Sequence, residues 1–544
     1  MATAIGRTPH TALPNQSAFT ELYGFERPTI ALSPEAFVEE LKELVRAHPI
    51  DAELASALKY GTAPREHLVR WIKDYWHFIK RDAQGTAAMV ARCPRRGLFI
   101  ALSQLVNRKT GFHQVTRPPH ELFLRFAAAF GVSEAELEAH FPCPETMQAT
   151  FSRLHFQFAG FEEGFAATAL GAEGALLDVV RDERPWLCQR GLAEYMKRAY
   201  QLDDDAVSYW RAYEDFRGFV TEPVWEIVKD IAVDASSQAI VRTAFEHWLL
   251  IYQNARRAWG EIVTGRYALP DFVWPRPGSA HATNAEQSYD EVEAELGEFC
   301  MALERPKETA FGLVISGKAS MDAVRELVKD FIHLDATRNI AGQLTRLDGR
   351  GRAFRAVAQA FATESGGYLT RNHMEIWADF CEQALGITRE QLFTWVPPTE
   401  TIASRYVTSW FLVHGSPEEA IAAFHLGPPT KVKEQMGRAA LGLGQGGVAG
   451  EGLINDAMTP RRPPLSVAFE RLGVEPDLAD YFFKLHAEIE PFEQDEGWEY
   501  VPTVLEDAGQ RRRFKRAYIE KILSERRKDE GLLRRMKKLS GLTP

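Results

Sequence analysis

The sequence predicts an all-α protein made of two tandem copies of one helical bundle, and three observations predict it. From Pro34 onward apolar residues recur with the 3.6-residue period of a helix that buries one face. Alternating apolar and polar runs bounded by turn signals, which would mark strands, are scarce. Four short blocks recur in the same order in the two halves of the 544-residue chain.

Residues 1–34, rich in Pro, Thr and Ala without sustained periodicity, are expected to form an arm on the first domain. Helices are expected near 34–47, 65–92, 120–130, 150–170, 205–230 and 238–264, so a first bundle spans 35–268. Pro, Gly, Ser and Asn then punctuate 269–291, as suits a linker between domains. Helical patterning resumes over 292–530, the second bundle, and 531–544 is set apart as a basic C-terminal tail. The helix over 511–538, which runs into that tail, is rich in Arg and Lys, and a solvated face or an acidic docking partner is its expected role.

The repeat carries the domain organisation. Lys73-Asp74-Tyr75-Trp76-His77 and Lys329-Asp330-Phe331-Ile332-His333 give K-D-aromatic-x-H twice, 256 residues apart. At that offset EEGFAATALG (162–171) meets EEAIAAFHLG (418–427). Gly131 and Gly386 close similar helices 255 residues apart. YWRAYEDFRGFVTEPVWEIV (209–228) meets FFKLHAEIEPFEQDEGWEYV (482–501) at an offset of 273, the extra length falling in the Gly-rich segment after 437. Because His77 and His333 recur in both copies, a structural role is expected for them.

Composition excludes several classes. Hydrophobic content of 45% with 26% charged residues belongs to a globular chain, and a net charge of −11 argues against a general nucleic-acid or anionic-membrane binder. Cys93, Cys143, Cys188, Cys300 and Cys381 are far apart, odd in number and without a C-x-x-C pair, which suits a reducing compartment. The sequence shows neither a signal-like N-terminus nor a long apolar run, so a cytoplasmic location is expected. GLGQGG (442–447) satisfies G-x-G-x-x-G, but no strand precedes it, and a flexible insertion loop is the expected role.

Candidate chemistry lies in the second half. Glu364, a Gly366-Gly367 break and His373 at the head of an apolar helical run are unusual company for a core helix. His486, Glu490 and Glu493 follow at relative steps of four and seven residues, which at ~100° per residue share one helical face. Pro491 would kink that helix, and Gly218 stands at its counterpart. Carboxylate and imidazole groups turned inward from two helices are a transition-metal ligand set.

These blocks resemble the haem-oxygenase-like fold, and within it the iron-containing redox enzymes, the di-iron oxidases and oxygenases. The carrying residues are the Glu364 helix end, the loop to NHMEIWADFCEQALGI with His373, and FFKLHAEIEPFE; the resemblance extends over 35–264 and 290–530. In that family one helix ends in a Glu ligand, the next begins with a His ligand, and a late helix supplies His-x-x-x-Asp-x-x-His. By position Glu364, His373 and His486 match, while Glu490 stands for the Asp and Glu493 for the last His. The earlier and middle Glu ligands have no counterpart, since those places hold Arg338 near Asp335 and His425.

The resemblance implies one or two iron ions, O2 as co-substrate, and an oxidase or oxygenase acting on an amino-acid-, amine- or fatty-acid-like metabolite in natural-product biosynthesis. A small-molecule substrate is the partner it implies, with a homodimer left open. In the first copy the corresponding positions hold Arg108 beside Lys109, Pro118 or Pro119 with His120 one residue on, and Tyr213, Arg217 and Val220. Acidic ligands are therefore missing there, and the cations are expected to pair with acids instead. Two alternatives stand beside iron chemistry: a cofactor-free oxidase or thiaminase-like enzyme on the same fold, and a metal-free helical binding or assembly module.

Overall fold

The computed structural model describes residues 31–110, 117–180, 191–219, 222–268, 287–302, 308–331, 357–358, 373–393, 395–423, 464–477, 479–480, 498 and 500–543. Every regular element among them is helical. Ser33 caps α1 (Pro34–Ala47) by accepting a hydrogen bond from Ala36 N at 3.2 Å, and Phe37, Leu41 and Val45 form its buried stripe. Helices α2 (Glu53–Tyr60) and α3 (Arg65–Ile79) follow. The stretch expected as one helix over 65–92 is two, because α3 stops at Ile79 and α4 runs Asp82–Ala91. That break places a carboxylate in the first turn of α4, where the helix dipole favours it.

Next come α5 (Arg96–Lys109), α6 (Pro119–Ala129), α7 (Glu134–Ala139) and α8 (Pro144–Ala159). The expected helix over 150–170 also divides. Gly160 is extended, and α9 (Phe161–Phe165) then passes into a π-helical turn, Ala166–Leu170. The first half ends with α10 (Glu173–Val179), α11 (Leu192–Tyr200), α12 (Ser208–Phe219), α13 (Glu222–Ile231) and α14 (Ala235–Val263). In the second half lie α15 (Tyr289–Ala302), α16 (Ala310–Ile315), α17 (Met321–Phe331), α18 (His373–Leu385), α19 (Arg389–Phe393), α20 (Thr399–His414), α21 (Pro417–Ala423), α22 (Pro464–Arg471) and α23 (Ala508–Leu539).

Helix α8 is buried at every position from Pro144 to Gln157. An ordinary surface helix buries one stripe; this one lies between the halves, packed on α3, α4 and α14 on one side and on α20 and α23 on the other. Helix α20 in turn packs on α8, α14 and α23. Met147, Phe151 and Leu154 share a core cluster with Val407, Phe411, Tyr518 and Leu523, and the Phe151 and Phe411 rings lie 4.8 Å apart. Polar pairs span this contact too: Gln148 Nε2 donates to Ser524 Oγ at 3.1 Å, and the Tyr406 hydroxyl lies 2.9 Å from His247 Nδ1.

The C-terminal helix departs from expectation. It runs Ala508–Leu539, close to the helix expected over 511–538, but much of its length is packed into the core rather than presented as a solvated face. Phe514, Tyr518, Ile519 and Leu523 are fully buried, and the basic side chains reach acids of the same chain: Lys515 meets Glu295 at 3.0 Å, Arg527 meets Glu145 at 3.0 Å and Arg534 meets Glu400 at 3.1 Å. Long aliphatic stems let such residues lie on a core while their charged ends find partners at its rim.

The recurring K-D-aromatic-x-H block has a structural reason in both halves. Asp74 accepts a hydrogen bond from Cys143 N at 2.8 Å and so fixes the start of α8; Asp330 accepts one from Trp395 Nε1 at 2.8 Å, just before α20. His77 is buried with Nε2 at 3.0 Å from Leu137 O, and burial, reinforced by nearby Lys80 and Arg516, holds its pKa well below the usual histidine range. This is the structural role expected for it, while His333 lies outside the described residues. Cys93, Cys143, Cys300 and Cys381 are free thiols. No helix of the described residues is long and apolar enough to cross a membrane. Residues 1–30, and 269–286 of the expected linker, lie outside the described residues.

Candidate active site

A cavity of about 120 Å³ opens inside the first bundle, walled by α3, α4, α12, α14 and the π-helical turn. The turn supplies Ala167 and Thr168. Its extra residue per turn shifts the register of the chain just before Gly171 and Glu173, which also line the cavity. Gly171 permits the wall to close, since Trp248 Nε1 donates to its carbonyl at 3.2 Å and a Cβ there would sit 2.1 Å from Trp248 Cδ1. Gly171→Ala is therefore expected to displace a buried ring and cost about 1–3 kcal/mol, measured as a lower midpoint in denaturant unfolding. An unchanged midpoint would mean that Trp248 does not need this approach.

Two carboxylates face the cavity, and each has cationic or hydroxyl partners. Asp82 is bound by Lys109 and lies 3.3 Å from Arg153 Nη1. Burial alone would raise its pKa, but these two charges outweigh burial and hold the carboxyl below the usual range. On the opposite wall Glu173 accepts a hydrogen bond from the Tyr213 hydroxyl and one from Tyr252 at 3.4 Å, with Arg256 Nη2 at 3.6 Å. Burial works against the Arg256 charge, yet Glu173 and the surrounding tyrosines overcome it and raise its pKa. Tyr209 donates to Tyr75 at 3.4 Å, and burial pushes the Tyr75 phenol up to about 12. The phenols thus remain protonated donors at neutral pH. The arrangement can orient a small organic molecule between aromatic rings and exchange protons through Tyr213 and Glu173.

A metal ion does not fit this first cavity. Iron would have to displace Lys109 and Arg153 from Asp82, or compete with Arg256 for Glu173, and nearby fixed cations oppose its charge. No cluster of three or more His, Cys, Asp or Glu with metal-binding geometry occurs among the described residues. The pairing of Lys109 with an acid is the fate expected for the cations of the first copy.

The sequence-derived metal set belongs elsewhere. Glu364, His486, Glu490 and Glu493 lie outside the described residues, as do Asp335, Arg338, His425 and the 442–447 loop. His373 is the first residue of α18, as expected of a residue opening that helix, and its side chain lies outside the description. The repeat offsets set Arg108 beside Lys109, Pro118 or Pro119 with His120 one residue on, and Tyr213 against Glu364, His373 and His486. Lys109, Pro119, His120 and Tyr213, drawn from three helices, all line the one cavity. Asp82 and Glu173 were not singled out from sequence. The signal that could have found them is the pair of cations at 108–109, which calls for a buried acid nearby.

The described residues thus form an all-helical fold with a cavity in its first half. Residues 40–167 match the model of the TENA/THI-4/PQQC family, which belongs to the haem-oxygenase-like superfamily. A stretch of 122 residues is 29% identical to a protein named 4-aminobenzoate synthase from Chlamydia muridarum (strain MoPn / Nigg). That alignment covers 22% of this chain and 50% of the relative, so the chain spans about half the length of the curated relative it matches. The family match falls on the first half, where the cavity is, rather than on the half carrying the candidate metal ligands.

Proposed function

We propose that this chain is a haem-oxygenase-like enzyme built by tandem duplication, an iron-dependent, O2-using oxidase or oxygenase of a small metabolite. Its metal would be held in the second half by Glu364, His373, His486, Glu490 and Glu493, and the first bundle would hold an organic molecule without metal. The observation that carries this reading is the convergence of Lys109, His120 and Tyr213 on one cavity. By the repeat offsets Glu364 falls on Arg108, next to Lys109, His373 falls near Pro118 or Pro119, next to His120, and His486 falls on Tyr213, so residues at or beside the aligned positions line the same cavity, which supports the reading. The similarity to a protein named as a synthase supports enzymatic activity. Iron bound there would supply the capacity to reduce O2 and oxidise a substrate, for which carboxylate and imidazole ligands are suited.

In the first bundle the chain's own groups would act by positioning: Tyr75, Phe78 and Trp248 enclose the molecule, while Glu173 and Tyr213 hold or move a proton at the Tyr213 hydroxyl. A cofactor-free reaction at this cavity is the second reading, favoured by its aromatic walls and by carboxylates already neutralised by protein cations. Iron stoichiometry after anaerobic loading of the full chain with Fe(II) separates the two. One or two irons are expected, with Glu364→Ala and His486→Ala losing most of the metal while their circular dichroism is unchanged, and Tyr213→Phe keeping it. No specific iron, or equal loss in Tyr213→Phe, would overturn the iron site. Turnover that survives chelation would establish the cofactor-free reaction.

A further inference from the structure

Beside the larger cavity lies a smaller one of about 60 Å³, enclosed by α2, α3, α11, α12 and α14. The two share Tyr75, Glu173 and Tyr213, so the Glu173 network is a partition with a chamber on either side. The walls of the smaller chamber have an unusual polarity. Trp71, Trp210 and Arg256 all line it, with only 1%, 4% and 6% of their surfaces exposed. Trp71 Nε1, Trp210 Nε1 and Arg256 Nε are each buried N–H groups with no hydrogen-bond partner among the described residues.

An unpaired buried donor is costly, and native folds leave few of them. Three around one small cavity call for a common acceptor. Indole and guanidinium groups can only donate, so the missing partner must accept. Arg256 already faces Glu173, and Lys59 brings a second cation to the lining, so a single negative charge suits the set; a dianion would bring desolvation that it cannot offset. Glu173 is no obstacle, because Tyr213, Tyr252 and Arg256 already engage its carboxylate. The stacked indoles of Trp71 and Trp210, 6.0 Å apart, offer apolar surface to a short carbon stem.

We propose that this chamber is a carboxylate-binding subsite, in which the Trp71 and Trp210 indoles and the Arg256 guanidinium receive the carboxylate of a small organic acid. It extends the proposal that the first bundle holds an organic molecule, and it asks nothing of iron or of turnover. A carboxylate seated here reaches the partition, so a larger acid bound across it would present its remainder to Tyr75 and Tyr213 in the main cavity.

Ligand-observed NMR titration of the iron-free full chain with propionate, and with propionamide as its neutral counterpart, tests the assignment. Propionate is expected to bind at least roughly tenfold more tightly than propionamide, the scale of a charge-assisted hydrogen bond. Trp71→Phe and Trp210→Phe, which keep a ring and delete the N–H, should each weaken propionate by roughly tenfold and change propionamide little. Ser56→Leu, which fills the chamber from α2 while keeping both indoles and the guanidinium, should abolish propionate binding. The proposal is overturned if propionate does not saturate the chain, if the two ligands bind alike, or if propionate binds the folded Trp→Phe or Ser56→Leu variants with unchanged affinity. Absence of iron in the same preparation would count only against the metal site of the second half.

Discussion

Truncation after Glu506, which removes α23, is expected to abolish cooperative folding of the whole chain. Phe514, Tyr518, Ile519 and Leu523 are fully buried, and α23 contacts α8 of the first half as well as α17, α20 and α21 of the second. Deleting a single large buried side chain costs about 2–5 kcal/mol, while an entire domain is stable by only about 5–15 kcal/mol. Removing at least four such side chains together exceeds what either half can lose. The deletion would also leave Glu145 without Arg527 and Glu295 without Lys515. Soluble yield and a thermal melt read the outcome. A truncated chain that melts cooperatively at the parental temperature would contradict the packing described and restore the solvated helix suggested by its basic composition.

The second large effect is expected at Glu173. Glu173→Ala leaves the buried Arg256 guanidinium without its counter-charge and removes the acceptor of two tyrosine hydroxyls. Breaking one partner of a buried ion pair costs about 3–5 kcal/mol, because the surviving charge stays desolvated. For a domain of this size that lowers the melting temperature by roughly 10 °C. Glu173→Gln should lose less, since the amide oxygen still accepts from a tyrosine. The double change Glu173→Leu with Arg256→Met should recover much of the loss, as both charges disappear together. If the double variant were no more stable than Glu173→Ala, uncompensated charge would not be the cause.

Much of the fold was legible before any coordinates. The limits of α1 and α14 follow from their caps, Ser33 with Pro34 and the Asp234–Ser237 capping box, and such signals are local. Helix breaks at Lys80–Arg81 and Gly160 were missed, because apolar periodicity continues across them and periodicity cannot register a short interruption. For the site, repeat comparison pointed at Arg108 beside Lys109, Pro118 or Pro119 with His120 one residue on, and Tyr213, without revealing their companions. Asp82 and Glu173 are ordinary acids in sequence and become site residues only through cations brought from other helices.

What the sequence by itself determined is the helical class, the helix-forming stretches and the block order of the two halves, since propensity, capping and hydrophobic period act within a few turns of chain. Tertiary structure alone decided that α8 is buried on every side, that a helix rich in Arg and Lys belongs in the interior, and that Trp71, Trp210 and Arg256 surround one small chamber. These depend on contacts between residues as far apart as Gln148 and Ser524. Burial and charge neutralisation are properties of the assembled neighbourhood, and no local window of sequence contains that neighbourhood.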